Sequence, residues 1–492
     1  MVRSSVFMAA PVMALLMCGT AQAALTVDQV WADLQAQAIA GGLKITVATE
    51  VPGDRELTLN GVSIAPDGGP AIATVSEISL VEQEDGSVAL FPGEIRLENT
   101  GPARVTVYHE DLSLSMYEDA GGMGYGLDAD SLKISVVATE GAGQTAKSFD
   151  GTFDLTGIAG RYTRGLEALG FGVSAGRLVY DIKQEDAALG IDSAQVSDTA
   201  DVDLTGEMTL PEGMDLMSLK DAPAVFAAAR AGLGMVFEAT QGVSSGDLVD
   251  NNPMMPMSLA FQAKPGTTSM VLNADEFGFD TSVEGMSFTA RPPMVPGAVN
   301  ATTDAFEMAF AMPMVAVEEA GEYALTLGVA NLALDDGAWR MIDPAGALDH
   351  GPADLTLDMG GLARIDTLEL MQANEAGRPP QVMPELQTLD IRALAVKLAG
   401  AALSGTGAFT FDNSMVAAGG PPMPLGTADL RLEGGNNLID GLIAMGLMTA
   451  DDAMGARMMM AMFGKPAGDD VLTSTIEARE GGSIFVNGQQ IQ

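Results

Sequence analysis

Two stretches carry the spacing G-x-S-x-G, which in serine hydrolases places a nucleophile on a sharp turn between a strand and a helix. They are Gly172-Val173-Ser174-Ala175-Gly176 and Gly242-Val243-Ser244-Ser245-Gly246. The chemistry needs that strand–elbow–helix context, and neither stretch supplies it. Arg177 to Asp181 (RLVYD) reads as more strand, and a polar loop follows Gly246. His350 comes after both serines, in hydrolase order, but sits in the turn-like Asp349-His350-Gly351-Pro352. Gly is 58 of 492 residues, so chance matches to a glycine pattern are expected.

Other groups could hold a metal. His109 stands beside Glu110 and Asp111, yet adjacent strand residues point to opposite faces, so His109 and Glu110 would not converge. A solvated histidine at a strand edge is the plainer reading. Asp128, Asp130 and the acidic run 198–203 could attract Ca²⁺, but none has the spacing of a calcium-binding loop. Methionine is in excess, at 32 residues. It clusters at Met254-Met255-Pro256-Met257, at Met308, Met312 and Met314, and at Met458-Met459-Met460-Ala461-Met462. Thioethers are soft ligands for Cu(I). They also fill irregular cores and adapt to apolar ligands of varied shape. With 2 His and 1 Cys, the usual companion ligands of copper are scarce. No constellation singles out a catalytic residue, a metal site or a cofactor.

Composition excludes further classes. The chain has 24 Lys+Arg against 66 Asp+Glu, a formal charge of −42, which repels phosphate backbones and anionic lipid headgroups. Nucleic acid is therefore not an expected partner. The acidity is spread along the chain and reads as a solvated surface. A single Cys rules out a disulfide framework and multi-cysteine metal sites. The apolar fraction of 47% is that of a folded globular chain.

The first segment reads as an address. Arg3 supplies a positive start, residues 6–17 are apolar, and Ala21-Gln22-Ala23 forms an A-x-A site. Residues 1–23 are expected to be a signal peptide, cleaved between Ala23 and Ala24. Cys18 follows Met17, a poor context for lipidation. The apolar run falls short of the roughly 18–20 residues of a spanning helix, and no later stretch approaches that length. The mature chain is expected to have no transmembrane segment and to reside in the periplasm.

The elements that must position any site are mostly strands. Period-two alternation marks 43–51, 56–64, 73–81, 104–116, 131–139, 176–183, 200–210, 257–262 and 270–273. Such alternation gives one buried and one wet face, as in antiparallel sheet. Asp85-Gly86 between two apolar runs predicts a hairpin. A phrase of acidic, apolar and polar residues ending in Gly recurs at 56–61 (ELTLNG), 154–157 (DLTG), 203–206 (DLTG), 354–360 (DLTLDMG) and 429–434 (DLRLEG). It reads as a strand ending in a Gly turn. Its irregular spacing argues against a solenoid.

Helices are few. Thr26 and Gln29 make a capping box ahead of a face of Val27, Val30, Trp31, Leu34 and Ala38, stopped by Gly41-Gly42. A helix is predicted over 215–231, with Pro223 splitting it. A helical pair spans 436–463. Its first stripe is Leu438, Ile439, Leu442, Ile443 and Leu447. Thr449 and Asp452 cap the second, whose stripe of Met454, Met458, Met459, Met462 and Phe463 is expected to pack inward. A terminal hairpin pairs 471–478 with 483–486. Pro/Gly clusters suggest an N-terminal β-rich half at 24–252 and a C-terminal β-rich half at 253–492. The expected fold is mainly β (α+β), a long curved antiparallel sheet with a few covering helices. An outer-membrane barrel would need aromatic girdles, and 6 Tyr with 2 Trp fit that poorly.

Three stretches carry a resemblance. They are Ala338-Trp339-Arg340-Met341-Ile342-Asp343-Pro344 with Gly351 to Leu357 (GPADLTL); Ile439-Asp440-Gly441-Leu442 leading into Arg457-Met458-Met459; and the closing 482–489 (GSIFVNGQ). With the signal and the Trp31 helix, they resemble the exported proteins of domain-of-unknown-function family 2125. That resemblance implies an exported envelope protein of Gram-negative bacteria with no assigned activity. The closing strand and Asn-Gly turn are also similar to families of large periplasmic proteins with long curved sheets, some linked to lipid transport or envelope maintenance. The expected function is non-enzymatic binding of an apolar, lipid-like ligand or an envelope partner on the concave side of the sheet. An envelope serine hydrolase and Met-based copper binding are the alternatives.

Overall fold

The computed structural model describes residues 25–491 apart from 41, 67, 98–102, 120–121, 142–145, 165–167, 212–213, 215–218, 220–221, 253–255, 292–296, 381–382 and 417–419. The cleavage site at Ala23 and Ala24, the signal segment, and Met254 and Met255 lie outside the described residues. The chain is mainly β, its strands pair antiparallel, and few helices accompany them. It divides into two compact units. Of the described residues, one holds those through Leu210 together with those of 237–260; the other holds those of 211–236 and those from Phe261 onward.

In the first unit, α1 (Val27–Ala40) begins as its capping box dictates. Gln29 N–H donates to Thr26 Oγ1 at 3.3 Å, and Thr26 N–H donates to Gln29 Oε1 at 3.1 Å. Val30, Trp31 and Leu34 bury against Leu57, Leu59, Val62, Val75 and Leu80 on strands Glu56–Pro66 and Ala73–Glu82. The Asp85-Gly86 hairpin forms, pairing Leu80 with Leu90 and Glu82 with Val88. The sheet then runs as a meander of long strands, Gly122–Glu140, Lys147–Arg164, Ala168–Asp186 and Ile191–Thr209, each paired to the next.

These strands are longer than the alternating runs suggested. The recurring Gly phrase was expected to end strands, and in four of its five positions it does not. Gly157 sits inside Lys147–Arg164 with φ 61°, a left-handed residue at which the pairing with Ala168–Asp186 skips a position. Gly206 sits inside Ile191–Thr209 beneath Phe171 and Phe237, whose ring centroids are 5.6 Å apart; a Cβ there would lie 2.4 Å from Phe171. Glycine here lets a strand bend or accept a ring without ending. Gly434, with φ 69°, does end its strand.

The second unit has a parallel logic. Strands Gly266–Leu272, Glu276–Val283, Ala305–Pro313, Val315–Leu334 and Ala353–Asp366 pair in succession. Thr388–Leu398, Ala401–Asp412, Met423–Glu433, Val471–Arg479 and Ser483–Val486 continue the series. The terminal hairpin turns at Glu480–Gly482 as expected. α2 (Ala222–Arg230) is shorter than predicted, and part of 215–221 lies outside the described residues. Pro223 does not split it. It occupies the first turn, where its missing N–H is not needed.

Two helices escaped the sequence reading. α3 (Asp336–Ile342) is capped by Asp335, which accepts from Ala338 N–H at 2.7 Å. α4 (Thr367–Glu375) is capped by Asp366, which accepts from Glu369 N–H at 2.9 Å and from Arg230 of α2. α2 and α4 enclose a core of Phe226, Ala229, Leu272, Met314 and Leu368. α5 (Gly435–Ala444) and α6 (Ala450–Phe463) form the expected helical pair. Among the described residues no helix is long and apolar enough to cross a membrane.

Candidate functional site

The residues singled out for hydrolysis do not assemble. Ser174 lies in mid-strand, paired with Ala159 and Asp203, and its hydroxyl donates to the Ala159 carbonyl at 3.4 Å. Ser244 is buried at the start of strand Ser244–Asp250, opposite Thr199. Neither stands on an elbow before a helix. His350 Nε2–H donates to Asp343 Oδ2 at 3.0 Å, and its ring stacks on Trp339 with centroids 4.2 Å apart and planes at 7°. Among the described residues Asp343 is the one side chain hydrogen-bonded to His350.

Asp343 is 2% exposed. The backbone N–H groups of Ala347 and Leu348 outweigh its burial and, with His350, hold its carboxyl at about 2. Leu348 N–H reaches Oδ2 at 2.7 Å. Gly441 of α5 closes this corner, since a Cβ there would meet Leu348 at 2.5 Å. The Trp339 and Gly441 segments therefore act as packing and turn elements.

His109 and Glu110 do lie on opposite strand faces. The histidine is not at a wet edge, however. It is half-buried, and Nε2 lies 2.9 Å from the Gly93 carbonyl, to which it can donate. Asp198 is bound by Arg177 at 2.6 Å. Among the described residues no group of three or more His, Cys, Asp or Glu converges. Of the methionine clusters, Met314 is fully buried in the α2–α4 core. The α6 cluster behaves otherwise. Met454, Met458, Met459 and Met462 are exposed, so four of the five residues expected to pack inward face out, and Phe463 alone of that stripe is half-buried. Ala453 is the residue of α6 that is buried. Periodicity located the helix and its apolar face, but nothing in the sequence states whether that face is covered.

Beneath α6 lies a pocket of about 540 Å³. Cross-strand register explains its floor. Leu403 stands opposite Leu432, and Leu432 opposite Leu472. Leu430 faces Ser474, while Ile476 faces Val486 and Ala478 faces Ile484. Period two places these side chains on one face. Met459, Met460 and Phe463 of α6 form the opposite wall. The lining is hydrocarbon and thioether apart from Thr473 and Ser474. Among the described residues the Ser474 hydroxyl makes no hydrogen bond.

Fixed points hold the helix over this floor. Thr449 caps α6 by accepting from Asp452 N–H at 3.2 Å. Arg457 reaches Asp440 at 2.6 Å and Asn436 at 3.2 Å on α5. Asp470 caps α5, accepting from the N–H groups of Asn436 at 3.0 Å and Asn437 at 3.1 Å. Burial raises the Asp470 pKa, but those N–H groups, the Asn436 amide and nearby Arg457 more than offset it, leaving the carboxyl below its ordinary value. At the far end the Asn487 amide donates to the Phe463 carbonyl at 2.8 Å. Gly464 packs tightly on Leu472, where an added Cβ would lie 3.0 Å from the leucine Cβ.

No family model, curated protein or solved structure matches the chain.

Proposed function

We propose that this chain is an exported envelope protein, related to domain-of-unknown-function family 2125, that acts without catalysis by holding an apolar, lipid-like ligand between α6 and the C-terminal strands. The observation that carries the reading is the pocket itself. Its volume of about 540 Å³ falls within the range of about 300–1,000 Å³ common to small-molecule sites. Leu, Ile, Val, Met and Phe side chains make up most of its wall. An acyl chain would gain about 25 cal/mol for each Å² of apolar surface removed from water. Methionines at the helical wall adapt to chains of different length and unsaturation.

The polar head of such a ligand finds no cationic side chain in the lining, so recognition rests on the hydrocarbon and the head stays outside. The expected residence is the periplasm, where a carrier of apolar molecules has work between two membranes. The test is titration of the delipidated protein with N-phenyl-1-naphthylamine, a neutral apolar fluorophore. Saturable binding that a long-chain fatty acid displaces supports the reading. Fluorescence that rises linearly with no displacement refutes it.

A further inference from the structure

Methionine ordinarily fills cores. Met116, Met123 and Met314 do so, at 3%, 7% and 0% exposure. On α6 four methionines gather at 62%, 65%, 56% and 56% exposure (Met454, Met458, Met459 and Met462), more open than the scattered Met257, Met383 and Met415 at 40%, 48% and 50%. Met454, Met458 and Met462 recur every four residues and make one row along the helix. Met459 adjoins that row and also lines the pocket. It borders solvent on one side and the apolar cavity on the other.

We propose that α6 is an oxidation site: an oxidant of the peroxide class converts its exposed methionines to sulfoxides, and the sulfoxide at Met459 weakens the pocket's hold on an apolar ligand. This second clause rests on the reading of the pocket given above. In the reaction a thioether lone pair attacks one peroxide oxygen. An S–O bond forms and the O–O bond breaks. Sulfur is oxidised by two electrons and each peroxide oxygen is reduced by one; the proton on the transferred oxygen passes to the departing hydroxide, which leaves as water (as the alcohol, for an alkyl hydroperoxide).

The product is polar and a strong hydrogen-bond acceptor. No thiol among the described residues competes for the oxidant, since the chain's one cysteine is Cys18. The sulfoxides at Met454, Met458 and Met462 only make an already wet face wetter. The one at Met459 sets a hydrated acceptor at the rim of an almost wholly apolar wall, and an apolar ligand must strip that water to bind.

The test treats the full exported chain with hydrogen peroxide, maps added oxygen by peptide mass spectrometry, and titrates N-phenyl-1-naphthylamine before and after. Wild type is compared with Met459→Leu, which keeps the apolar volume and cannot form a sulfoxide. The expected map shows oxygen on Met454, Met458, Met459 and Met462 before Met116, Met123 and Met314. Probe affinity is expected to fall about tenfold in wild type and to hold in Met459→Leu. Unchanged affinity with Met459 fully oxidised, equal losses in both proteins, or Met314 reacting as fast as Met459 overturns the proposal. Absence of probe binding before peroxide overturns the pocket reading with it, whereas binding that survives full oxidation of Met459 overturns the link from sulfoxide to pocket while the pocket reading stands.

Discussion

The side-chain amide of Asn487 donates to the backbone carbonyl of Phe463 at 2.8 Å, while its carbonyl accepts from Thr475 N–H at 3.0 Å. One residue in the final turn thus ties the C-terminal end of α6 to the strand that forms the pocket floor. Asn487 has φ 55°, a conformation asparagine tolerates and glycine adopts freely. Asn487→Gly therefore removes the two side-chain bonds while sparing the backbone. The expected cost is about 1–3 kcal/mol in urea unfolding, with a weaker grip on the apolar fluorophore. Unchanged unfolding and binding would show that the link is ornamental.

Met459 can be made charged without touching the core. Because it is exposed on α6, Met459→Lys should change stability by no more than about 0.5 kcal/mol. The lysine stem would lie along the pocket wall with its ammonium near the opening. Fluorophore affinity is expected to fall about tenfold or more. A variant that binds as wild type does would place the ligand elsewhere.

Leu59 is fully buried beneath Val30 and Trp31 of α1, in the other unit. Leu59→Ala should cost about 2–5 kcal/mol, the usual range for emptying such a site. Denaturant unfolding measures it. Fluorophore binding at α6 should be unaffected under conditions where the variant is folded.

The Asp343–His350 corner gives a pH prediction. The folded-state pKa of Asp343, about 2, lies below its ordinary value of 3.8. The stability it contributes is thus present above about 4 and is lost as pH falls towards 2. Asp343→Asn should flatten the acid limb of a stability-against-pH curve in that window. Identical acid limbs in the two proteins would refute the assignment.

How much of this was legible in the sequence follows from local physics. α1 could be read because Thr26, Gln29 and a full apolar stripe agree with one another. α3 and α4 could not, because 7 and 9 residues span too few turns for periodicity to emerge. Their Asp335 and Asp366 caps were the available signal. Gly157 and Gly206 read from sequence as strand ends, since composition does not distinguish a bend within a long strand from a turn. The α6 methionines are legible as a helical stripe but not as an exposed one, because covering a face is a tertiary event. The pocket floor was invisible for a related reason. Leu403, Leu432 and Leu472 are neighbours only through register.

The central claim is that the space under α6 holds an apolar ligand, and the most direct measurement is mass spectrometry of organic extracts from protein purified without detergent. Acyl chains in stoichiometric amount, depleted in Met459→Lys, are the expected result. Extracts free of lipid, from a protein that also fails to take up fatty acid added afterwards, would contradict it.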